Sequence, residues 1–174
     1  MTDDDARVRE GGTAAMNKPV LGVVDGRPSP LRRADLPAGL WSTRMHIRFG
    51  HCDPAGIVYT PKFFDIFNVV IEKWYEGALG LDYYEFIGKR RIGLGYVNAH
   101  ADFFSPCTMG DTLDVAVAVE RIGNSSFALR LHAFRDGTEA LRGYFTVVTT
   151  DLTIHKSMPV PPDLRTALAD YAKS

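Results

Sequence analysis

From Trp41 to Phe49 the chain alternates. Trp41, Thr43, Met45, Ile47 and Phe49 take one set of positions and Ser42, Arg44, His46 and Arg48 the other. That period of two is the mark of a half-buried strand. The pattern then changes: Phe63, Phe64, Ile66, Phe67, Val69, Val70, Ile71, Trp74 and Tyr75 put apolar groups on nearly every face of a predicted helix. Lys62, Asp65, Glu72, Lys73 and Glu76 cover only part of it. Pro61 suits the first helical position, where its missing N–H costs nothing. Thr60 before it is a natural N-cap, its hydroxyl accepting from a first-turn amide. Gly77 and Gly80 offer stops. A helix this apolar must be largely enclosed by other parts of the chain.

The remaining pattern is of strands. Gly95 to Phe104 predicts one, with Val97, Ala99, Ala101 and Phe103 on one face and Tyr96, Asn98, His100 and Asp102 on the other. Leu113, Val115, Val117 and Val119 define the next, and Phe127, Leu129, Leu131 and Ala133 another, joined by a hairpin at Gly123-Asn124. Asp136-Gly137 is the strongest hairpin signal, since both residues tolerate the positive φ of a tight turn. A last strand runs from about Ala140 to Leu152, with Phe145, Val147 and Thr149 on one face. Tyr83 to Arg91 reads as a polar connection, and Leu164 to Tyr171 as a short helix after Pro159, Pro161 and Pro162. Short turns favour antiparallel neighbours. The predicted class is α+β: a curved antiparallel sheet of about five strands wrapped around one long central helix.

Three stretches follow: residues 1–40 an arm or linker rich in Gly and Pro, with Val20 to Val24 its one strand-like segment; 41–155 the folded domain; and 156–174 a Pro-rich segment with the short helix. The chain has 174 residues, 45% hydrophobic and 24% charged, which suits one globular domain. A net charge of −1 gives no reason to expect nucleic acid as a partner. No apolar run is long enough to span a bilayer, and Asp3, Asp4 and Asp5 are wrong for a secretory signal, so a cytoplasmic location without membrane contact is expected. Cys52 and Cys107 are too few for a disulfide framework; reduced thiols are expected, with a bridge between them left open. His46, His100, His132 and His155 have no metal-ligand spacing, so no metal is expected.

The chemistry lies between strand and helix, in FGHCDPAGIVY, Phe49 to Tyr59. Alone, an Asp before Pro-Ala-Gly is a turn residue. The whole run, an aromatic residue and Gly, then Cys52, Asp53, Pro54, Ala55, Gly56, Ile57, Val58 and Tyr59 entering a helix at Pro61, resembles the signature of the 4-hydroxybenzoyl-CoA thioesterase family of hot-dog-fold acyl-CoA thioesterases. The likeness covers roughly residues 41–155. It departs from the family at His51, where an acidic residue is frequent, and at Asn68, which is acidic in the hydroxybenzoyl enzyme. Gly123-Asn124-Ser125-Ser126 also lacks a cluster of basic residues that some members offer to CoA phosphates, leaving Arg121, Arg130, Arg135 and Arg142 as substitutes.

The resemblance implies a hot-dog fold, a homodimer or homotetramer, and hydrolysis of an acyl-CoA at Asp53. It implies no separate cofactor, since CoA is part of the substrate. Such hydrolysis needs a nucleophile or a base, and Asp53 serves as either. It also needs an oxyanion hole, which a helix N-terminus supplies. Thr60 is the nearest amide donor, with Tyr59 next. Gly56 lets the loop approach the substrate or take positive φ. His51, Gly56 and Asn68 are the candidate substrate-binding residues, while Cys52, Glu72 and the Phe63–Phe67 pair read as packing or surface. Two other readings stay open. One is a non-catalytic acyl-thioester-binding or scaffold protein; the other is a hydratase or dehydratase using His51.

Overall fold

The structure, a computed structural model, describes residues 23–24 and 27–173. Its elements in chain order are β1 (Val23–Val24), β2 (Arg27–Pro28), β3 (Ser42–His46), α1 (Pro61–Gly77), α2 (Tyr83–Gly88), β4 (Ile92–Phe103), β5 (Thr112–Ile122), β6 (Ser126–Arg135), β7 (Thr138–Asp151), β8 (Lys156–Ser157) and α3 (Pro162–Tyr171). Five strands form one antiparallel sheet in the order β3-β5-β6-β7-β4, with the two-residue β8 added to β7. The sheet curls around α1, which is the hot-dog arrangement. Of the strand-like segment expected at Val20 to Val24, only Val23–Val24 is described; Val20, Leu21 and Gly22 lie outside the described residues.

Each strand offers the helix one face. Leu113, Val115 and Val117 of β5, Phe127, Leu129, Leu131 and Ala133 of β6, and Phe145 and Val147 of β7 are all buried with Phe63, Ile66, Phe67, Val70, Ile71, Trp74 and Tyr75 of α1. Gly143 lets the helix come this close. A Cβ there would lie 2.7 Å from the ring of Phe67 and 2.8 Å from that of Phe145. The β6–β7 hairpin turns on Asp136 and Gly137 at φ of 51° and 75°, the positive pair its sequence predicts.

The helix is largely enclosed, as expected, but not completely. Asp65, Asn68, Val69 and Glu76 of α1 are exposed, so a strip of the helix faces outward. Beside it runs β4, an edge strand exposed from Gly95 to His100.

Three local expectations are corrected. The first strand stops at His46, and Phe49–His51 is a 3-10 turn, so Phe49 leaves the alternation and ends 82% exposed. In β4 a bulge falls between Tyr96 and Asn98. The additional residue, Val97, resets the face of everything before it, because side chains alternate with period two. Tyr96 thus shares the helix-facing side with Ala99, packing on Phe145 with ring centroids 5.0 Å apart. The stretch read as a polar connection contains α2, started by Asp82, whose carboxylate accepts from the amides of Tyr84 (2.8 Å) and Glu85 (3.1 Å).

The arm is tied down from Ser29 to Arg33. Glu139 of β7 accepts from the Leu31 amide (2.9 Å) and donates its own amide to Leu31 (2.9 Å), while Arg142 donates to the Ser29 carbonyl (2.9 Å). Beneath the arm Glu139 is fully buried, paired with Arg142 and with His132 Nδ1 at 2.7 Å. Burial opposes its charge, but bonds from Arg142, His132 and Leu31 prevail and hold its carboxyl below the usual range.

Candidate active site

The loop from Phe49 to Thr60 folds back on itself as a small hairpin. The Asp53 amide donates to Ile57 (2.9 Å), the Tyr59 amide to His51 (2.9 Å), and Gly56 closes the turn with a bond to the Asp53 carbonyl (2.9 Å) at φ +79°. Any other residue at 56 would be strained, so this is the positive-φ role expected of it. At the turn, Asp53 Oδ1 accepts from the Ala55 amide at 2.8 Å, which fixes the carboxylate, while Oδ2 has no partner among the described residues. The side chain is half-buried and lines a pocket of about 430 Å³ with Phe49, Cys52, Pro54, Gly56 and Met109.

The helix tip follows one strand-like step later. Thr60 does not cap it as expected: its backbone is already helical (φ −44°, ψ −45°), and its hydroxyl makes no capping bond. The reason is the tightness of this turn. Lys62 donates to the Tyr59 carbonyl (2.7 Å) and Phe63 to that of Thr60 (3.2 Å), so the amides that a cap would serve are already bonded.

The same accounting sorts the expected oxyanion donors. The Tyr59 amide is engaged with His51, the Val58 amide donates to Cys107 (2.9 Å), and Pro61 has no N–H. The Thr60 amide alone on this tip has no acceptor among the described residues. Tyr59 is therefore withdrawn as a backbone donor. Thr60 lines a second pocket, of about 320 Å³, with Ile57, Val58, Phe63, Phe103, Phe104, Ser105, Pro106 and Cys107. Asp53 and Thr60 thus belong to one loop, with Asp53 and Gly56 lining one pocket and Ile57, Val58 and Thr60 the other.

The other expected residues stand around this centre. The His51 imidazole accepts from the Arg48 amide at Nδ1 (3.1 Å), so the neutral ring carries its proton on Nε2. Partial burial and the nearby Arg48 and Lys62 lower its pKa, which favours that neutral ring. His51 lines neither pocket. Asn68 lies seven residues past Pro61, about 10 Å down the helix axis, exposed, with Oδ1 accepting from the Tyr96 hydroxyl at 2.9 Å. It is not gathered with Asp53 and Thr60 within one chain. Burial raises the pKa of Tyr96, with Tyr83 and Glu72 adding to the effect. Glu72 accepts from the Tyr84 hydroxyl at 2.8 Å, away from the tip.

Both cysteines are free thiols. Cys107 lines the tip pocket, and burial pushes its thiol up to about 11, which makes it a wall rather than a nucleophile. Three of the four arginines considered for CoA phosphates are committed elsewhere: Arg130 to Glu120 (2.8 Å), Arg135 to Asp111 (3.0 Å) and Arg142 to Glu139. Among the described residues no group of His, Cys, Asp and Glu has the arrangement of a metal site, and no helix is long and apolar enough to cross a membrane. The wall from Phe103 to Cys107 went unread as part of the site. It lies over 40 residues after Thr60 in the chain, where Pro106 and Gly110-Asp111 mark only a turn.

A family model described as the Thioesterase-like superfamily matches residues 47–168. A 1,4-dihydroxy-2-naphthoyl-CoA hydrolase from Prochlorococcus marinus subsp. pastoris is 27% identical over 134 residues, covering 73% of this chain and 82% of that protein. A solved thioesterase-superfamily structure from Jannaschia sp. CCS1 is 28% identical with a TM-score of 0.71, over 77% of this chain and 94% of that one. A 1,4-dihydroxy-2-naphthoyl-CoA thioesterase from Synechocystis shares the fold with a TM-score of 0.69 at 24% identity, over 74% and 95% of the two chains. Two of these three names are of naphthoyl-CoA enzymes and none is of a 4-hydroxybenzoyl enzyme, so the resemblance read from Phe49 to Pro61 holds at the level of the superfamily. The matched span takes in the Asp53 loop, the whole of α1 and every strand of the curled sheet except β3, and the chain belongs to the Thioesterase-like superfamily.

Proposed function

We propose that this protein hydrolyses an acyl-CoA thioester to a carboxylic acid and CoA, with Asp53 and the Thr60 amide as its catalytic groups. The observation that carries the reading is the free Thr60 N–H at the tip of a 17-residue helix, on the same loop as a carboxylate with one unengaged oxygen. The carbonyl oxygen of the thioester takes the Thr60 N–H, aided by the positive end of the helix, as charge builds on it. One such donor is worth about 3 kcal/mol of barrier. In this reading the carbonyl carbon lies where the two pockets meet along Gly56–Val58, and Asp53 Oδ2 either attacks it, expelling CoA thiolate and leaving an anhydride that water cleaves, or takes a proton from the water that attacks. Ala55 holds the other oxygen in both cases. Tyr59 and His51 shape the loop through the bond between them, and Gly56 supplies its turn.

The acyl group we assign is an aryl one. Phe63, Phe103 and Phe104 converge on the tip pocket, and the curated relative described above is named for a naphthoyl thioester. Asn68 in place of an acid argues against a charged partner for a phenol at that position.

The working unit in this reading is a homodimer. The free edge of β4 and the open strip of α1 beside it leave unpaired backbone and exposed Val69, Tyr96 and Val97, a surface that pairing with a second copy covers. Asn68, on that strip, would then reach a site from across the interface. The test is release of free thiol from a panel of aryl and aliphatic acyl-CoA esters. Wild type is expected to act on aryl esters, and Asp53→Asn to lose the activity while keeping its fold. A folded wild type inert on the whole panel ends this reading in favour of a thioester-binding protein.

A further inference from the structure

One short loop, from Pro106 to Asp111, stands between the two pockets. Pro106 and Cys107 line the pocket at the helix tip and Met109 the pocket beside Asp53. The Asp53 hairpin also rests on it: the Val58 amide donates to Cys107 (2.9 Å), and Ile57 forms a bridge with Thr108. The loop is pinned to Ile47 by two backbone bonds, Gly110 N–H to the Ile47 carbonyl (2.9 Å) and Ile47 N–H to the Asp111 carbonyl (2.8 Å), and its side-chain tie is a single ion pair. Asp111 Oδ2 accepts from the Thr108 amide (2.7 Å), the Thr108 hydroxyl (3.3 Å) and Arg135 (3.0 Å). Arg135 donates as well to the Pro106 carbonyl (2.6 Å), so its guanidinium joins the two ends of the loop.

The pair is ionised. Burial opposes charge on Asp111, but the Thr108 amide and Arg135 outweigh it and hold the carboxyl below the usual range. Asp111 and Arg135 are 22% and 30% exposed at their side chains, and a pair so exposed adds little to global stability. Its reach is local. From Arg135 to Pro106, from Asp111 to Thr108, and from Cys107 to Val58, each step is a hydrogen bond.

We propose that Asp111 and Arg135 are positioning residues, a brace that sets the Pro106–Asp111 loop and, through Cys107 and Thr108, the spacing between the Asp53 carboxylate and the Thr60 amide. This rests on the hydrolase reading above, in which small displacements of reacting groups cost rate steeply. Neither residue lines either pocket. Neither belongs to the FGHCDPAGIVY run.

The variants are Asp111→Asn, Arg135→Gln, Arg135→Lys and the double variant Asp111→Asn/Arg135→Gln. Each of Asp111→Asn and Arg135→Gln is expected to lower kcat on the best aryl-CoA ester about tenfold, with KM changed about twofold at most. Arg135→Lys recovers part of the loss, since one ammonium serves Asp111 or the Pro106 carbonyl but lacks the fork that serves both. The double variant is no worse than the worse single one, as for two parts of one unit.

Hydrogen exchange reads the brace without activity. In Asp111→Asn the bonded amides of Gly56, Val58 and Tyr59 are expected to exchange about tenfold faster while those of β6 and β7 keep their rates. Unchanged exchange in the Gly56–Tyr59 segment overturns the proposal, and so does an unchanged kcat in folded Asp111→Asn. A wild type inert toward every thioester removes the hydrolase reading and the catalytic role together, whereas an active wild type with an unaffected Asp111→Asn removes the positioning role alone.

Discussion

The two ends of α1 lie among similar large apolar side chains, which meet opposite fates. At the base, Trp74 and Tyr75 are buried and held edge to face: Trp74 meets Tyr171 at 5.4 Å and Tyr75, and Tyr75 meets Tyr83 at 5.2 Å and Phe86 at 6.0 Å. Tyr171 completes the seal by donating to the Val117 carbonyl (2.6 Å) and accepting from the Trp41 amide (3.1 Å). Around the tip, Phe49, Tyr59 and Met109 are more than half exposed. Helices α2 and α3 close the base, and within the described residues nothing closes the tip. Aromatic packing is thus gathered at one end, while the other sets the free Thr60 N–H and the Asp53 carboxylate against open pockets.

If the ends are divided in this way, a substitution at one should leave the other's property alone. The largest effect expected is on rate. Asp53→Asn should lower kcat about 10²- to 10⁴-fold, the range typical of losing an acid–base group, with little change in Tm. Steady-state kinetics beside a thermal melt decides it. A variant that lost stability in step with activity would make Asp53 a turn residue after all.

The reverse experiment is at the base. Trp74→Ala should cost about 3–5 kcal/mol of stability, the toll of emptying a large buried aromatic site. Its folded fraction, assayed well below Tm, should still turn over near the wild-type rate. Urea unfolding gives the first quantity and active-site-normalised kinetics the second.

Between the ends, Gly143→Ala should cost about 1–3 kcal/mol, because the new methyl meets the rings of Phe67 and Phe145 at distances no real Cβ keeps. Part of that strain passes up α1 toward the tip, so a modest fall in kcat is expected with it. Gly143 is the one position where the comparison should blur. A variant as stable as wild type would mean that the helix sits further from the sheet than 2.7 Å allows.

This division also explains what was legible in the sequence. The alternation of Leu113 to Val119 and of Phe127 to Ala133, and the unbroken apolar run of α1, announce a sheet around a helix because burial imposes period two and helical spacing directly. The Asp53 loop was legible for a different cause, its residues being contiguous. What escaped was set by a single backbone event or by distance along the chain. The bulge at Val97 moved Tyr96 to the helix side, and nothing in the residues around Val97 marks it. Thr60 lost its capping role to carbonyls three residues back. The Phe103–Cys107 wall and the Asp111–Arg135 pair come to the site only through strand pairing, which no local pattern encodes.

The smallest effect concerns the lid over the base. Arg90, just past α2, donates to Asp163 in the first turn of α3 through both nitrogens (2.7 and 3.0 Å), and its guanidinium lies 4.1 Å over the Phe86 ring. The bond from Arg90 is the main cause holding the Asp163 carboxyl below its usual value, and the Leu164 amide assists. A depressed folded pKa stabilises the folded state above the unfolded value, near 3.9, and that contribution is lost as pH falls through the folded one. Asp163 is 45% exposed, so solvent screening keeps the contribution under about 1 kcal/mol. Melts of wild type and Asp163→Asn should therefore differ slightly at pH 7 and converge as pH drops below about 4. Turnover at pH 7 should be the same in both. A clear loss of kcat in Asp163→Asn would mean that the lid on the base is felt at the tip, and the two ends of α1 could no longer be treated as separate.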